Sequence, residues 1–315
     1  LCCGRYIFVI AGFNYSYMLV SRVKNGEINF DKIDWILWLK KRFMRLYPTY
    51  WLAILLSLLL YYFLGKIEVK SLFDLLLIVL GWPGYQRFKM INPGFWFFSV
   101  ILQAYLVIPL IFYLCKSEIQ LILWLGILGG LATKIICLIS FGNPDIFSFF
   151  LQNNFLGSYF FPLCLGLYWG FVYFDYQGFR SKDWMISIVT FIVGIFLYGC
   201  MALLKVDSLY MLGFDMLLTP FLMLLCYWLC KHCIDKVPKL KEGISLLGIN
   251  SYQIFLIHQP ILFLVLPIIV TNIFINLSIK PLFYLILFAF ILFIYIFLFL
   301  KLDSWLRTIF NKTLA

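Results

Sequence analysis

Arg42 and Arg45 stand three residues apart in KKRFMRLYPTYWLAILLSLLL, residues 40–60, so a helix there turns both guanidiniums to one face. Pro48 follows them, and then a long apolar run of the kind that enters a bilayer. A guanidinium is costly to carry deeper into hydrocarbon, and it grips phosphate through a bidentate fork. Two of them at a helix mouth point to an anion dock at a membrane face. The rival reading is orientation alone, since positive charge flanks many spanning helices.

A second set of reactive types lies inside apolar runs, where amide and ionisable side chains are expensive and are site candidates by default. Counting about 1.5 Å per residue puts Asn14, Gln103 and His258 each roughly 12–16 Å from a helix end, near one depth. His258 sits in GINSYQIFLIHQPILF, with Asn250, Ser251, Tyr252, Gln253 and Gln259. Gln103 sits in NPGFWFFSVILQAYLVIPL, with Trp96 two turns earlier and Tyr105 beside it. Shared depth on three helices favours a common site; the alternative is interhelical hydrogen bonding that only holds the bundle together. Lys134 and Asp215 fall at a second common depth and read as a structural ion pair, with an external substrate contact for Asp215 as the rival. Cys230 and Cys233 flank His232 in a C-x-x-C, but a zinc site wants four ligands and the other cysteines lie in or beside apolar segments, so no metal is expected.

The elements that must position these residues are membrane helices. Of 315 residues, 64% are hydrophobic and 12% charged, where soluble domains are nearer half and a quarter. The chain therefore reads as an all-α, polytopic membrane bundle in one domain over residues 1–315. Runs long enough to span cover about 4–21, 47–65, 94–115, 119–141, 155–174, 184–204, 208–230, 247–270 and 281–301. Leu72–Trp82 is too short to cross, ends in Gly81-Trp82-Pro83-Gly84, and suits a re-entrant or interfacial segment. With about nine spans, the basic loops alternate and put Arg42, Arg45 and Lys231–Lys241 on the cytosolic side. The net charge of +11 is carried by these short loops, so it reports orientation and no nucleic-acid partner. Residue 1 then falls outside, and an inbound helix ahead of it is expected; a cleaved leader is not.

Five segments, in order, resemble the signatures of membrane acyltransferase family 3, the integral-membrane O-acyltransferases. YIFVIAGFNYSYML is similar to the family's second helix, and RFMRLYPTYW to its R-x-x-R-x-x-P-x-Y. GFWFFSVILQAYLVIPLI is similar to W-x-L-x-x-E-x-x-Y-L-x-x-P, FFPLCLGLYWG to F-x-x-G-x-x-x-G, and NSYQIFLIHQPI to S-Y-x-x-Y-L-x-H-x-P.

The resemblance implies transfer of an acyl group, usually acetyl, from cytosolic acyl-CoA to a hydroxyl of a carbohydrate or lipid-linked sugar. It implies a multi-pass protein among membrane lipids, in the cytoplasmic membrane of a bacterium. Arg42 and Arg45 match the paired arginines that engage the donor, and a CoA pyrophosphate suits them. His258 matches the late histidine and is the second candidate for the base, after one on a preceding helix, or its orienting partner; Gln103 and Asn14 join it as catalytic candidates, with Trp96, Tyr105, Ser251 and Tyr252 as substrate contacts. Two departures stand out. The family's principal histidine lies on a first helix that would precede residue 1, so this stretch alone would be inactive. Gln103 stands where many members have Glu, and an amide takes no proton. The rival from another class is a transporter or flippase of a sugar- or lipid-linked substrate, favoured by inverted repeats that are not evident. A polysaccharide polymerase or ligase would want larger external loops than these.

Overall fold

The structure, a computed structural model, describes residues 3–27, 33–64, 71–82, 84–115, 118–139, 155–204, 215–265 and 281–314. The described residues are built from helices: α1 (Cys3–Lys24), α2 (Trp35–Phe63), α3 (Leu72–Leu80), α4 (Tyr85–Lys89), α5 (Trp96–Cys115) and α6 (Ile119–Ile139) come first. They are followed by α7 (Phe160–Tyr176), α8 (Ser181–Leu204), α9 (Asp215–Leu229), α10 (Pro238–Ile249), α11 (Ser251–Pro260) and α12 (Pro281–Leu314). Seven stretches among the described residues are long and apolar enough to cross a membrane. The other two expected spans are the run over 4–21, which forms α1, and the run over 247–270, described as far as residue 265. The chain is an all-α polytopic membrane protein.

Contacts gather the chain into two compact units, one from Leu1–Leu37 and Gln103–Lys241, the other from Trp38–Leu102 and Glu242–Ala315. In the first unit, glycine lets two helices touch backbone to backbone. A side chain on Gly166 of α7 would collide with the carbonyl of Val9 in α1, and one on Gly170 with Ser16. Small residues four apart are a common route to close packing in a membrane, where lipid offers no hydrophobic drive between helices. Val9, Phe161, Leu165, Trp169 and Leu224 form the core beside that seam.

In the second unit the short apolar run forms α3, nine residues and roughly 13 Å long, so it cannot cross. Its end is a full accounting of the four carbonyls that any helix leaves orphaned. Gly81, at φ 73°, turns the chain left-handed, and its N–H donates to Ile78 O at 2.9 Å while Trp82 N–H donates to Leu77 O at 2.9 Å. That is the bond pattern of a glycine-terminated helix. Side chains of α2 supply the rest. Tyr50 OH donates to Ile78 O at 2.6 Å, Trp51 Nε1 to Val79 O at 3.1 Å, and Tyr47 OH to Leu80 O at 3.0 Å. All four terminal carbonyls of α3 therefore have partners, as a short helix needs where water is scarce, whether it is re-entrant or interfacial. The return leg is tied back at the other end, where Arg87 of α4 pairs with Asp74 in the first turn of α3 at 3.1 Å.

Candidate functional site

The second unit holds the paired arginines and the histidine. Pro48 has no N–H, so the Met44 carbonyl loses its partner one turn back in α2. Beside this break other helices dock on neighbouring carbonyls of α2. Tyr252 OH donates to Leu46 O at 3.2 Å, and Arg307 Nη2 to Arg45 O at 3.3 Å. Arg42 is half-buried with its guanidinium carbon 5.4 Å from the centre of the Trp38 ring, while Arg45, Lys40 and Lys41 are exposed. One flank of α2 therefore presents a concentrated positive charge.

His258 sits on α11, half-buried, with Nδ1 2.9 Å from Phe255 O and 3.2 Å from Ile254 O. A carbonyl oxygen can only accept, so Nδ1 carries the proton and the lone pair of the neutral ring lies on Nε2. That is the tautomer of a general base. The carbonyl next along is held by a residue that sequence reasoning did not single out. Pro260 removes the N–H that Leu256 O would receive, and buried Asn92 donates from Nδ2 to that oxygen at 2.6 Å. Asn92 Nδ2 also lies 3.4 Å from Ser57 Oγ, and its Oδ1 accepts from Gly94 N–H at 2.8 Å. One side chain thereby joins α2, the 3-10 turn Pro93–Phe95 that leads into α5, and α11. The signal for it was present: Asn-Pro-Gly before an apolar run is a helix cap with proline in the first turn. Gln259, next to His258, has a buried Oε1 without a partner among the described residues.

The other expected contacts of this unit are spoken for by the fold. Trp96 is buried edge-on against Phe97 and Phe255. Tyr252 spends its hydroxyl on α2, as above, and Ser251 is exposed.

Gln103, Tyr105 and Asn14 belong to the first unit. Gln103 Oε1 accepts the backbone N–H of Leu156 at 3.0 Å, which fastens α5 to the 3-10 turn Leu156–Tyr159. Gln103 also lines a cavity of about 350 Å³ with Thr133, Phe155 and Phe160. Tyr105 is half-buried and Asn14 is exposed. A larger cavity of about 460 Å³ lies among α6, α7, α8 and α9, with Lys134 and Asp183 on its wall. Asp183 is already held by Arg180 at 2.9 Å, and Arg180 in turn donates to the Tyr168 hydroxyl. The expected Lys134–Asp215 pair lies outside the described side chains. Cys230 and Cys233 are exposed on a π-helical turn, and His232 between them stacks on Trp228.

No curated protein and no solved structure matches the chain. A family model described as an acyltransferase domain, that of acyltransferase family 3, matches residues 8–310 and so runs through both units, the arginine pair and His258. The chain belongs to acyltransferase family 3.

Proposed function

We propose that this membrane acyltransferase moves an acetyl group from cytosolic acyl-CoA to a hydroxyl of an envelope polysaccharide, glycolipid or lipid-linked sugar. The observation that carries the reading is His258, whose Nδ1–H is fixed on backbone carbonyls so that Nε2 is left to accept a proton. Arg42 and Arg45 hold the phosphates of the donor by charge-assisted bonds from one face of α2. The acceptor oxygen attacks the thioester carbonyl, its proton passes to Nε2, and a tetrahedral oxyanion forms. Collapse forms the ester and breaks the carbon–sulfur bond; the thiolate of CoA leaves and the imidazolium returns the proton. The buried Oε1 of Gln259 is an acceptor suited to a sugar hydroxyl.

Membranes holding the full-length protein, supplied with acetyl-CoA labelled in the acetyl carbon, test this. The expected product is labelled carbohydrate whose label is released by mild alkali, as an ester requires. Label that stays on CoA while a sugar-lipid crosses the membrane would move the assignment to the transporter class. Alkali-stable label would contradict O-acylation.

A further inference from the structure

Arg307 lies on the last helix, yet it docks on the very turn of α2 that carries Arg45. Its Nη2 donates to Arg45 O at 3.3 Å and to Thr49 Oγ1 at 2.6 Å, and its Nε donates to Asp303 Oδ2 at 2.9 Å. Asp303 is only 3% exposed, and it also accepts from Thr49 Oγ1 at 2.6 Å and Gln253 Nε2 at 3.3 Å. Three helices, α2, α11 and α12, therefore fix one guanidinium. A guanidinium has five N–H donors, and among the described residues these bonds engage Nε and Nη2 and none engages the Nη1 pair. The Arg307 side chain is 32% exposed, so the fork is anchored without being enclosed.

Structure alone asks for less than this. A strut between α2 and α12 could be built from Thr49 and Asp303, which already bond directly. Adding a cation beside the turn of Arg45 brings like-charge repulsion, which the buried carboxylate offsets. The result is a positive fork whose rotamer is set before any ligand arrives, which lowers the ordering cost of binding. We propose that Arg307 is a third guanidinium of the anion dock, binding a phosphate of the phosphorylated acyl donor alongside Arg45, and that Asp303 is its positioning residue. The inference rests on the donor reading above and extends it from α2 to the last helix.

Coenzyme A is the probe, titrated calorimetrically into the full-length protein in nanodiscs, with transfer from S-acetylpantetheine, which carries no phosphate, measured in parallel. Arg307→Gln is expected to weaken coenzyme A by about 10-fold or more, the scale of a lost charged hydrogen bond. Arg307→Lys should recover part of that, because it returns the charge without the fork. Turnover of acetylpantetheine should not change. Asp303→Asn should lower coenzyme A affinity in wild type but add little on top of Arg307→Gln. If Arg307→Gln binds coenzyme A as wild type does while Arg45→Gln does not, the donor reading stands and Arg307 is no part of the dock. Equal losses with coenzyme A and acetylpantetheine would make Arg307 a scaffold residue and overturn the inference. A wild-type protein that binds no coenzyme A would remove both readings.

Discussion

Asn92 donates to the carbonyl that Pro260 leaves without a partner: its Nδ2 is 2.6 Å from Leu256 O, four residues before the proline. An X-Pro break inside a membrane helix exposes a polar group to hydrocarbon, and the cost is met by a side chain from outside that helix, the cap of the turn Pro93–Phe95. The break lies two residues from His258, so the asparagine also fixes the backbone from which the imidazole projects.

This relationship makes the effects of the two residues interdependent. Asn92→Leu should destabilise the protein by about 1–3 kcal/mol, the penalty of an unmet buried carbonyl. In a Pro260→Ala background the restored N–H can serve Leu256, and the same substitution should then cost about 1 kcal/mol less. Thermal unfolding of the four proteins in one detergent closes the cycle. Additive penalties would mean that the proline and the asparagine are unconnected.

The seam between α1 and α7 predicts a sharp local contrast. Gly166→Ala puts a methyl group into the Val9 carbonyl, whereas Gly178→Ala meets nothing within 4 Å. The first should lose about 1–3 kcal/mol of stability, as overpacked sites do, and the second should be close to neutral. Comparable behaviour of the two variants in a melting experiment would show that the helices do not touch along this line.

The short segment α3–α4 predicts both a topology and a pH response. Cysteines placed at Ser71 and Lys89 should label from the same side of the membrane, because α3 is too short to cross. Labelling from opposite sides would make the segment a full crossing. The Ser71 hydroxyl first, and then Arg87, hold the Asp74 carboxyl below its usual range. A lowered folded pKa means that the contribution is present above the ordinary aspartate value of about 3.9 and is lost as pH falls through the folded value. Hydrogen-exchange protection across Leu72–Leu80, taken relative to an unfolded peptide at the same pH, should therefore be steady near neutral pH and fall in strong acid, and Asp74→Asn should flatten that response.

Much of this architecture was legible from apolar run lengths, since a bilayer sets how many residues a span needs. The eleven residues Leu72–Trp82 announced a non-crossing segment by length alone, and Gly81 announced where it would turn. The direction a side chain faces was not legible. Counting rise along α1 put Asn14 deep in the bilayer, yet on a helix apolar all round nothing in the sequence says which way it faces, and it is exposed. Trp96 and Tyr252 carried groups that could bind substrate, but the fold uses the ring of one as core and the hydroxyl of the other as a strut. Asp303 and Arg307 fall just beyond the last expected span, 281–301, where nothing in the sequence singles them out. Their meaning arises only when residues some 250 positions apart come together at Thr49, which no local pattern records.

The central claim is that His258 Nε2 takes the proton of the acceptor hydroxyl, and single-turnover acyl transfer in the full-length protein tests it most directly. His258→Gln should keep coenzyme A affinity within about 2-fold of wild type while the transfer step slows by about 10²–10⁴-fold, the span of general-base catalysis. Gln103→Leu, which removes no proton acceptor, should slow the step much less. A His258→Gln protein that transfers acyl groups within a few-fold of the wild-type rate would contradict the account.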